Sequence, residues 1–396
     1  VAKECEEAAA DLSERASTSD VDGAVRVTKG FAWALAGKAY LFAEKYDQAK
    51  TALKKVIDSG KYALVPGERY MDNFHIEGDG NEEKVFEINF EYNAGKDGWS
   101  GMIQRSSWME ANAWNWRAGN FVKNPANVYC GGVDGWGGLG VPQWFGDEFL
   151  ANDGHSYRFD ATLKHIDDAV YGMEYQDPTL NAMTREEKMV SDKVGISDPT
   201  QGLYGNSFWL AFKQIMRGPD TGGKAYGDNI RLNNYIIMRY AEVLLNYAEA
   251  CIQTGDAATA KTYINMIQER AGSNTISASV DMDVLKKEKS YELWLEGCRW
   301  FDILRWNDAE GIARLKAVGS DVPHLFDKMF RQPKSDDRKV TWENGTEANS
   351  RFYTVSSSEA KDKGFTVGFQ QGKHELFPFP QTVIDKNPNL VQNPGW

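Results

Sequence analysis

The chain holds no run of eighteen apolar residues, so no membrane-spanning helix is expected. Its four cysteines, Cys5, Cys130, Cys251 and Cys298, form no CxxC pair, which removes the common zinc and redox motifs. Cys251 and Cys298 fall in amphipathic helical patterns and read as small buried apolar residues rather than a disulfide. The five histidines (His75, His155, His165, His324 and His374) lack HExxH and H-x3-H spacing. GxSxG, a P-loop and a strand-linked GxGxxG are missing too. The stretches IEGDGNEE from Ile76 and VDGWGG from Val133 do not match the calcium-loop spacing that ends in a bidentate Glu, and read as turns. No cofactor and no metal are therefore expected. Basic charge is also scarce: 45 Lys and Arg stand against 57 Asp and Glu, a net −12. That argues against nucleic acid or an anionic lipid surface, and leaves a neutral ligand unaffected.

What is present begins with length. A chain of 396 residues, 42% hydrophobic and 26% charged, has an ordinary globular composition and can bury a large core, as one large domain or two. A small-residue spacing occurs twice. In FAWALAGKAYLFAEKYDQAKTALKKVIDSG, Gly37 and Ala49 are twelve apart, with Trp33, Tyr40, Tyr46 and Leu53 at the large positions. In RYAEVLLNYAEACIQTGDAATAKTYINMIQERAG from Arg239, Ala248 and Ala260 repeat that spacing across the Gly255 turn, with Leu244, Cys251 and Ile264 around them. This is the tetratricopeptide pattern, in which small residues let two antiparallel helices approach and large ones fill the space between. The first copy has Ala36 where Leu is usual. A regular solenoid stacks its repeats without long interruption, so helix pairs carrying a large irregular insertion is the simpler architecture.

Four parts follow. Residues 1–66 read as helical scaffold, 67–229 as a loop-rich ligand-binding subdomain, 230–306 as helical scaffold, and 307–396 as loops and an extended strap. KVFEINFEYN from Lys84 alternates as a strand does, and FWLAFKQI near Phe208 is the next strand candidate. Residues 93–146 keep no period and read as long structured loops, and DEFLANDGHSYRFDAT as a short helix and a turn. Pro378, Pro380, Pro388 and Pro394 fix φ and remove donors, so the ending is a strap rather than a helix.

The insertion carries the site expectation. Trp99, Trp108, Trp114, Trp116, Trp136, Trp144 and Tyr129 are interleaved with Asn112, Asn115, Arg117, Asn120, Asn124 and Asp134. A pyranose ring presents an apolar C–H face and a fringe of hydroxyls. Flat aromatics stack on the first, and amides, carboxylates and guanidinium groups satisfy the second. The glycan-binding candidates are Trp99, Trp108, Asn112, Trp114, Trp116, Arg117, Tyr129 and Trp136. The bland alternative is that these rings simply fill a loop-rich subdomain. Trp136 and Trp144, in GWGGLGVPQWF, weigh more towards packing than Trp99, Trp108, Trp114 and Trp116. Glu288, Glu292 and Glu296, four apart, would share one helix face, with Arg299 following Glu296 at i+3. An ion-paired face is expected there, not an acid–base pair.

Three segments go further: SYELWLEGCRWFDILRW from Ser290, the tail HELFPFPQTVIDKNPNLVQNPGW from His374, and the RYAEVLLNYAEA helix. In this order the chain resembles the SusD/RagB family of glycan-capturing outer-membrane lipoproteins, from RVTKGFAWALAGKAYLF at Arg26 to Trp396. The middle matches loosely, through FGDEFLANDGHSYRFDAT from Phe145. The resemblance implies a mainly α fold, a SusD-like α-α superhelix of tetratricopeptide-like helix pairs with a large loop-rich, mixed α/β insertion. It implies capture of oligosaccharide or polysaccharide without chemistry, lipid anchoring on the extracellular face of the outer membrane, and partnership with a SusC-like TonB-dependent transporter. SusD-like precursors begin with a lipoprotein signal and a lipid-bearing cysteine. Val1 opens directly into helix-like sequence, and no apolar segment precedes Cys5, so the chain is expected to lack its N-terminal part. The family's binding aromatics lie in variable loops, so no residue role transfers. Three alternatives stay open: a SusD-like protein serving a peptide or glycopeptide transporter, a glycoside hydrolase using two of Glu110, Asp134 and Asp147, and a plain tetratricopeptide adaptor.

Overall fold

The computed structural model describes residues 1–90, 141–165, 168–172, 178–191, 209–221, 232–317, 339–341, 347–349 and 369–396. Helices dominate it. In chain order they are α1 (Ala2–Asp11), α2 (Val21–Ala24), α3 (Lys29–Phe42), α4 (Tyr46–Asp58), α5 (Gln143–Asp153), α6 (Tyr157–Thr162), α7 (Pro178–Asn181), α8 (Arg185–Val190), α9 (Tyr240–Gln253), α10 (Ala257–Ala271), α11 (Met282–Glu292), α12 (Arg299–Trp306), α13 (Ala309–Ala317) and α14 (Gln381–Ile384). Three small antiparallel pairs join them: β1 (Lys84–Ile88) with β4 (Tyr235–Arg239), β2 (Leu163–His165) with β3 (Trp209–Ala211), and β5 (Lys339–Thr341) with β6 (Glu347–Asn349).

The two repeated spacings form the scaffold. Thr28 caps α3 by accepting from the Phe31 N–H, and Asp256 caps α10 by accepting from the Thr259 N–H. A Cβ on Gly37 would lie 2.4 Å from Leu53 Cγ, so only glycine lets α3 and α4 approach this closely. Ala49, Ala248 and Ala260 are fully buried at the matching positions. Helix α9 packs on α4 as well as on α10, and the two helix pairs share one core. Phe31, Leu53 and Val56 meet Leu244, Cys251, Ile264 and Ile267 there. Tyr40 is also buried, and its hydroxyl donates to Glu6 of α1 at 2.9 Å. Cys251 and Cys298 are buried and free, in keeping with small apolar packing.

Four expectations need correction. Residues 230–306 are not helical throughout, because Tyr235–Arg239 is strand β4. Its YIIMR run pairs with β1, from Lys84↔Arg239 to Ile88↔Tyr235, so α9 starts only at Tyr240. The SYELWLEGCRWFDILRW segment is not one helix. Leu295 and Gly297 take positive φ (61° and 74°), which ends α11 at Glu292 and starts α12 at Arg299. Glu296 therefore lies in a turn, outside the helical ladder it was expected to share with Glu288 and Glu292. The loop expected through residue 146 already gives way to α5 at Gln143. The proline-rich ending is a strap interrupted by one helical turn, α14. It doubles back on itself: the Gln392 side chain accepts from Phe379 N–H at 2.9 Å and donates to Phe379 C=O at 3.0 Å.

Candidate functional site

Two well-held points flank residues 91–140. On the exit side, Arg239 on β4 and Lys84 on β1 are both buried to 0% exposure, and Phe90 N–H donates to Asn234 Oδ1 at 3.4 Å. On the return side, Val141 is fully buried against Phe145, Phe149, Phe159, Trp209 and Tyr291. Phe149 stacks on Tyr291 with centroids 4.7 Å apart, and Phe159 meets Phe149 edge-on at 5.1 Å. Such a cluster of rings is stiff, because each large aromatic contributes area and a preferred geometry.

Beneath these points lies a buried ionic frame. Arg239 donates to Glu83 and Glu292 from Nη1 at 2.6 Å each, and to Glu296 from Nε at 2.6 Å. Arg270 pairs with Glu83 at 2.7 Å and also with Glu292. Arg158 holds Asp153 at 3.0 Å, Glu292 at 3.1 Å, and Glu288. Lys213 Nζ reaches Glu296 at 2.6 Å and the Glu292 carbonyl at 2.8 Å, 4.6 Å from the Phe74 ring centre. Burial alone would raise the Glu292 carboxyl, but Arg270, Arg239 and Arg158 override it and hold the group down to about 2. Burial pulls the Lys213 ammonium down to about 8 despite Glu296. The expected ion-paired face is thus present, but as a core network binding the end of α5, α6, α10, α11, β4, Glu83 just before β1 and the Glu296 turn. Arg299 is no part of it. It donates to the Lys286 carbonyl at 2.9 Å. Sequence reading missed Arg158, Arg239, Arg270 and Lys213, because no local spacing links each to its distant carboxylates.

A second network ties α9 to α11 and α12. Arg305 donates to both Glu249 oxygens at 2.6 Å, Trp306 Nε1 donates to Glu249 at 2.7 Å, and Lys289 bridges Glu249 and Asp302. Burial would raise Glu249, yet Lys289 and Arg305 hold it at about 2. His75 is equally structural: it is buried with Nδ1 2.7 Å from Asp220.

All eight glycan-binding candidates (Trp99, Trp108, Asn112, Trp114, Trp116, Arg117, Tyr129 and Trp136) lie outside the described residues, as do Glu110 and Asp134. Trp144, weighed towards packing, is the aromatic of that stretch that is described, and it sits at the surface. Its side is 41% exposed, edge-on to Phe145 at 5.8 Å. The Arg314 guanidinium lies 3.8 Å from its ring centre, and Arg314 also pairs with Glu310 at 2.9 Å and Glu148 at 3.6 Å. The guanidinium thus lies over one face of the indole, so a flat apolar ligand could stack only on the ring's other face. Asp147, one of the three hydrolase acids, instead accepts from Trp209 Nε1 at 2.8 Å, which fixes that ring in the aromatic cluster. Among the described residues, no helix is long and apolar enough to cross a membrane.

A sequence profile of the SusD family matches residues 82–396. A SusD-like protein of Bacteroides ovatus is 36% identical over 201 residues, which cover 46% of this chain and 33% of that protein. The matched stretch is thus about a third of that relative's length. Among solved structures, a SusD-like protein from Bacteroides fragilis superposes with a TM-score of 0.62 at 20% identity, covering 100% of this chain and 70% of the other. Surface glycan-binding protein A from Bacteroides thetaiotaomicron, in complex with laminarihexaose, gives 0.64 at 19% identity, covering 99% and 69%. At such identities the structural likeness speaks for the fold.

Proposed function

The chain belongs to the SusD family, and from that premise we propose that it captures oligosaccharide or polysaccharide at the cell surface without cleaving it. The observation that carries this reading is the surface indole of Trp144, with Arg314 over one face of its ring, at the end of a stretch with five further tryptophans. The ligand-binding part would be the insertion within residues 67–229, displayed from the helical scaffold. Trp99, Trp108, Trp114, Trp116, Tyr129 and Trp136 would supply stacking platforms, and Asn112 and Arg117 hydrogen bonds to hydroxyls. Each stacking contact contributes on the order of 1 kcal/mol, so several are needed for micromolar to millimolar affinity. The site would be served from the extracellular face of the outer membrane through a lipid anchor. Bound glycan would pass to a SusC-like TonB-dependent transporter.

The test is a titration calorimetry series with neutral polysaccharides and their oligosaccharides. Replacing Trp114 and Trp116 together by Ala weakens binding while the helical circular-dichroism signal stays intact. Unchanged affinity in the folded double variant removes these two residues from the site. Release of shorter sugars from labelled polysaccharide would replace capture by hydrolysis.

A further inference from the structure

A second place for a ligand lies on the scaffold side of the aromatic cluster. An open cleft of about 590 Å³ runs between the 3-10 segment Gly67–Phe74, the start of α6, Phe212 and Gly272. That is within the usual range for small-ligand pockets, roughly 300–1,000 Å³. Tyr157 dominates it and is 48% exposed.

The ring of Tyr157 is seated by two glycines from distant parts of the chain. A Cβ on Gly67 would lie 2.4 Å from Tyr157 Cδ2 and 2.6 Å from the Arg270 carbonyl. A Cβ on Gly272 would lie 3.1 Å from the same ring carbon, at a φ of +70°. Bare backbone at both positions therefore lets the Cδ2–Cε2 edge of the ring come close to them. The ring's far end is tied down as well, because the hydroxyl donates to Glu68 Oε1 at 3.2 Å. An aromatic fixed in this way loses little freedom when a ligand stacks on it, which is what pre-organisation contributes to affinity.

Around the ring stand a polar fringe and an apolar wall. His155 Nδ1 and Asp160 Oδ1 are 2.9 Å apart, and the imidazole is braced edge-on by Phe159 at 5.8 Å. Glu68 Oε2 and Asp160 Oδ2 accept from no donor among the described residues, so each is available to a ligand hydroxyl. Met71 and Phe212 complete the lining. With two carboxylates in the fringe and a net charge of −12, an acidic glycan would be repelled.

We propose that this cleft is a second carbohydrate subsite, in which Tyr157 stacks on a sugar of a short neutral saccharide while Glu68 and Asp160 accept its hydroxyl protons. It rests on the reading that the chain binds glycan, but uses residues separate from the tryptophan-rich stretch. Two attachment points would raise the retention of a long polymer more than either alone, by the local-concentration effect of linked sites.

The experiment titrates neutral oligosaccharides into the full chain carrying Trp114→Ala and Trp116→Ala. The binding that remains there is the baseline against which the cleft is read. Adding Tyr157→Ala weakens it by about fivefold or more, the loss of one stacking contact. Tyr157→Phe keeps most of it, and this conservative variant guards against a folding artefact. Residual binding that Tyr157→Ala leaves unchanged overturns the cleft alone. Binding that vanishes in the double tryptophan variant also overturns it, and leaves the loop reading standing. A parent chain that takes up no neutral saccharide overturns both. Binding of a basic peptide in the cleft, with no saccharide bound, assigns it to another class of ligand and overturns the proposal.

Discussion

Arg239 holds Glu292 twice, donating from Nη1 to its side-chain Oε1 and from Nη2 to its backbone carbonyl, both at 2.6 Å. The second bond matters for the fold. Glu292 is the last residue of α11, and its carbonyl needs a partner because no further helical turn supplies one. Arg239, with Lys213 and the Tyr70 hydroxyl on the same carbonyl, thereby closes the helix at the point where the chain turns to bring Glu296 round to the same guanidinium.

Removing that guanidinium leaves Glu83, Glu292 and Glu296 buried with fewer cations. Arg239→Met is expected to cost about 3–5 kcal/mol, as loss of one partner from a buried charge network does. Arg314→Met, at an exposed pair, should cost less than about 1 kcal/mol. Urea unfolding of both variants decides it. Comparable small losses would show that the network contributes little.

Acid should unfold the scaffold early. Glu292 and Glu249 are held at about 2, against an ordinary 4.5. Their folded values are depressed, so the stability they contribute is fully present above about pH 4.5 and drains as pH falls towards 2. Each contributes on the order of 3 kcal/mol over that window. Urea midpoints measured from pH 6 to pH 2.5 should fall steeply below 4.5, and less so in Glu249→Gln. A flat profile contradicts the pairing.

Gly37→Ala tests the close approach of α3 and α4. Alanine is a better helix former by about 1 kcal/mol, so a purely local view predicts stabilisation. The new Cβ would meet Leu53, which is fully buried, and overpacking of this kind costs about 1–3 kcal/mol. We expect net destabilisation by thermal melting. Combining it with Leu53→Ala should cost less than the sum of the two single changes.

Trp144→Ala tests the surface indole. Binding of neutral glycan should weaken by about fivefold, the scale of one lost stacking contact. Stability should change by less than about 1 kcal/mol, since the ring is half-exposed. A large drop in melting temperature with unchanged affinity would return Trp144 to a packing role.

How much of this was legible beforehand differs from element to element. Both helix pairs were, because the contact between paired helices is set by residues a fixed number of positions apart. Strand β1 was, because alternation over five residues is a local signal. Strand β4 was not: YIIMR runs straight into a helical pattern, and only β1 across the sheet makes it a strand. The position of Glu296 was not either, because i+4 spacing continued through Leu295 and Gly297 while the backbone turned there. As for the candidate site, its aromatic content was legible as composition, but the exposure of Trp144 was not.

Order along the chain alone determined the repeated helix pairs, the aromatic-rich insertion, the acidic balance and the family resemblance, since each is written in spacing or content. Tertiary structure alone decided which arginine meets which glutamate, which indole faces solvent, and that Gly67 and Gly272 together seat Tyr157. The physical reason is range. Burial and charge pairing are settled between segments remote in sequence, and a one-dimensional pattern carries no record of which segments meet.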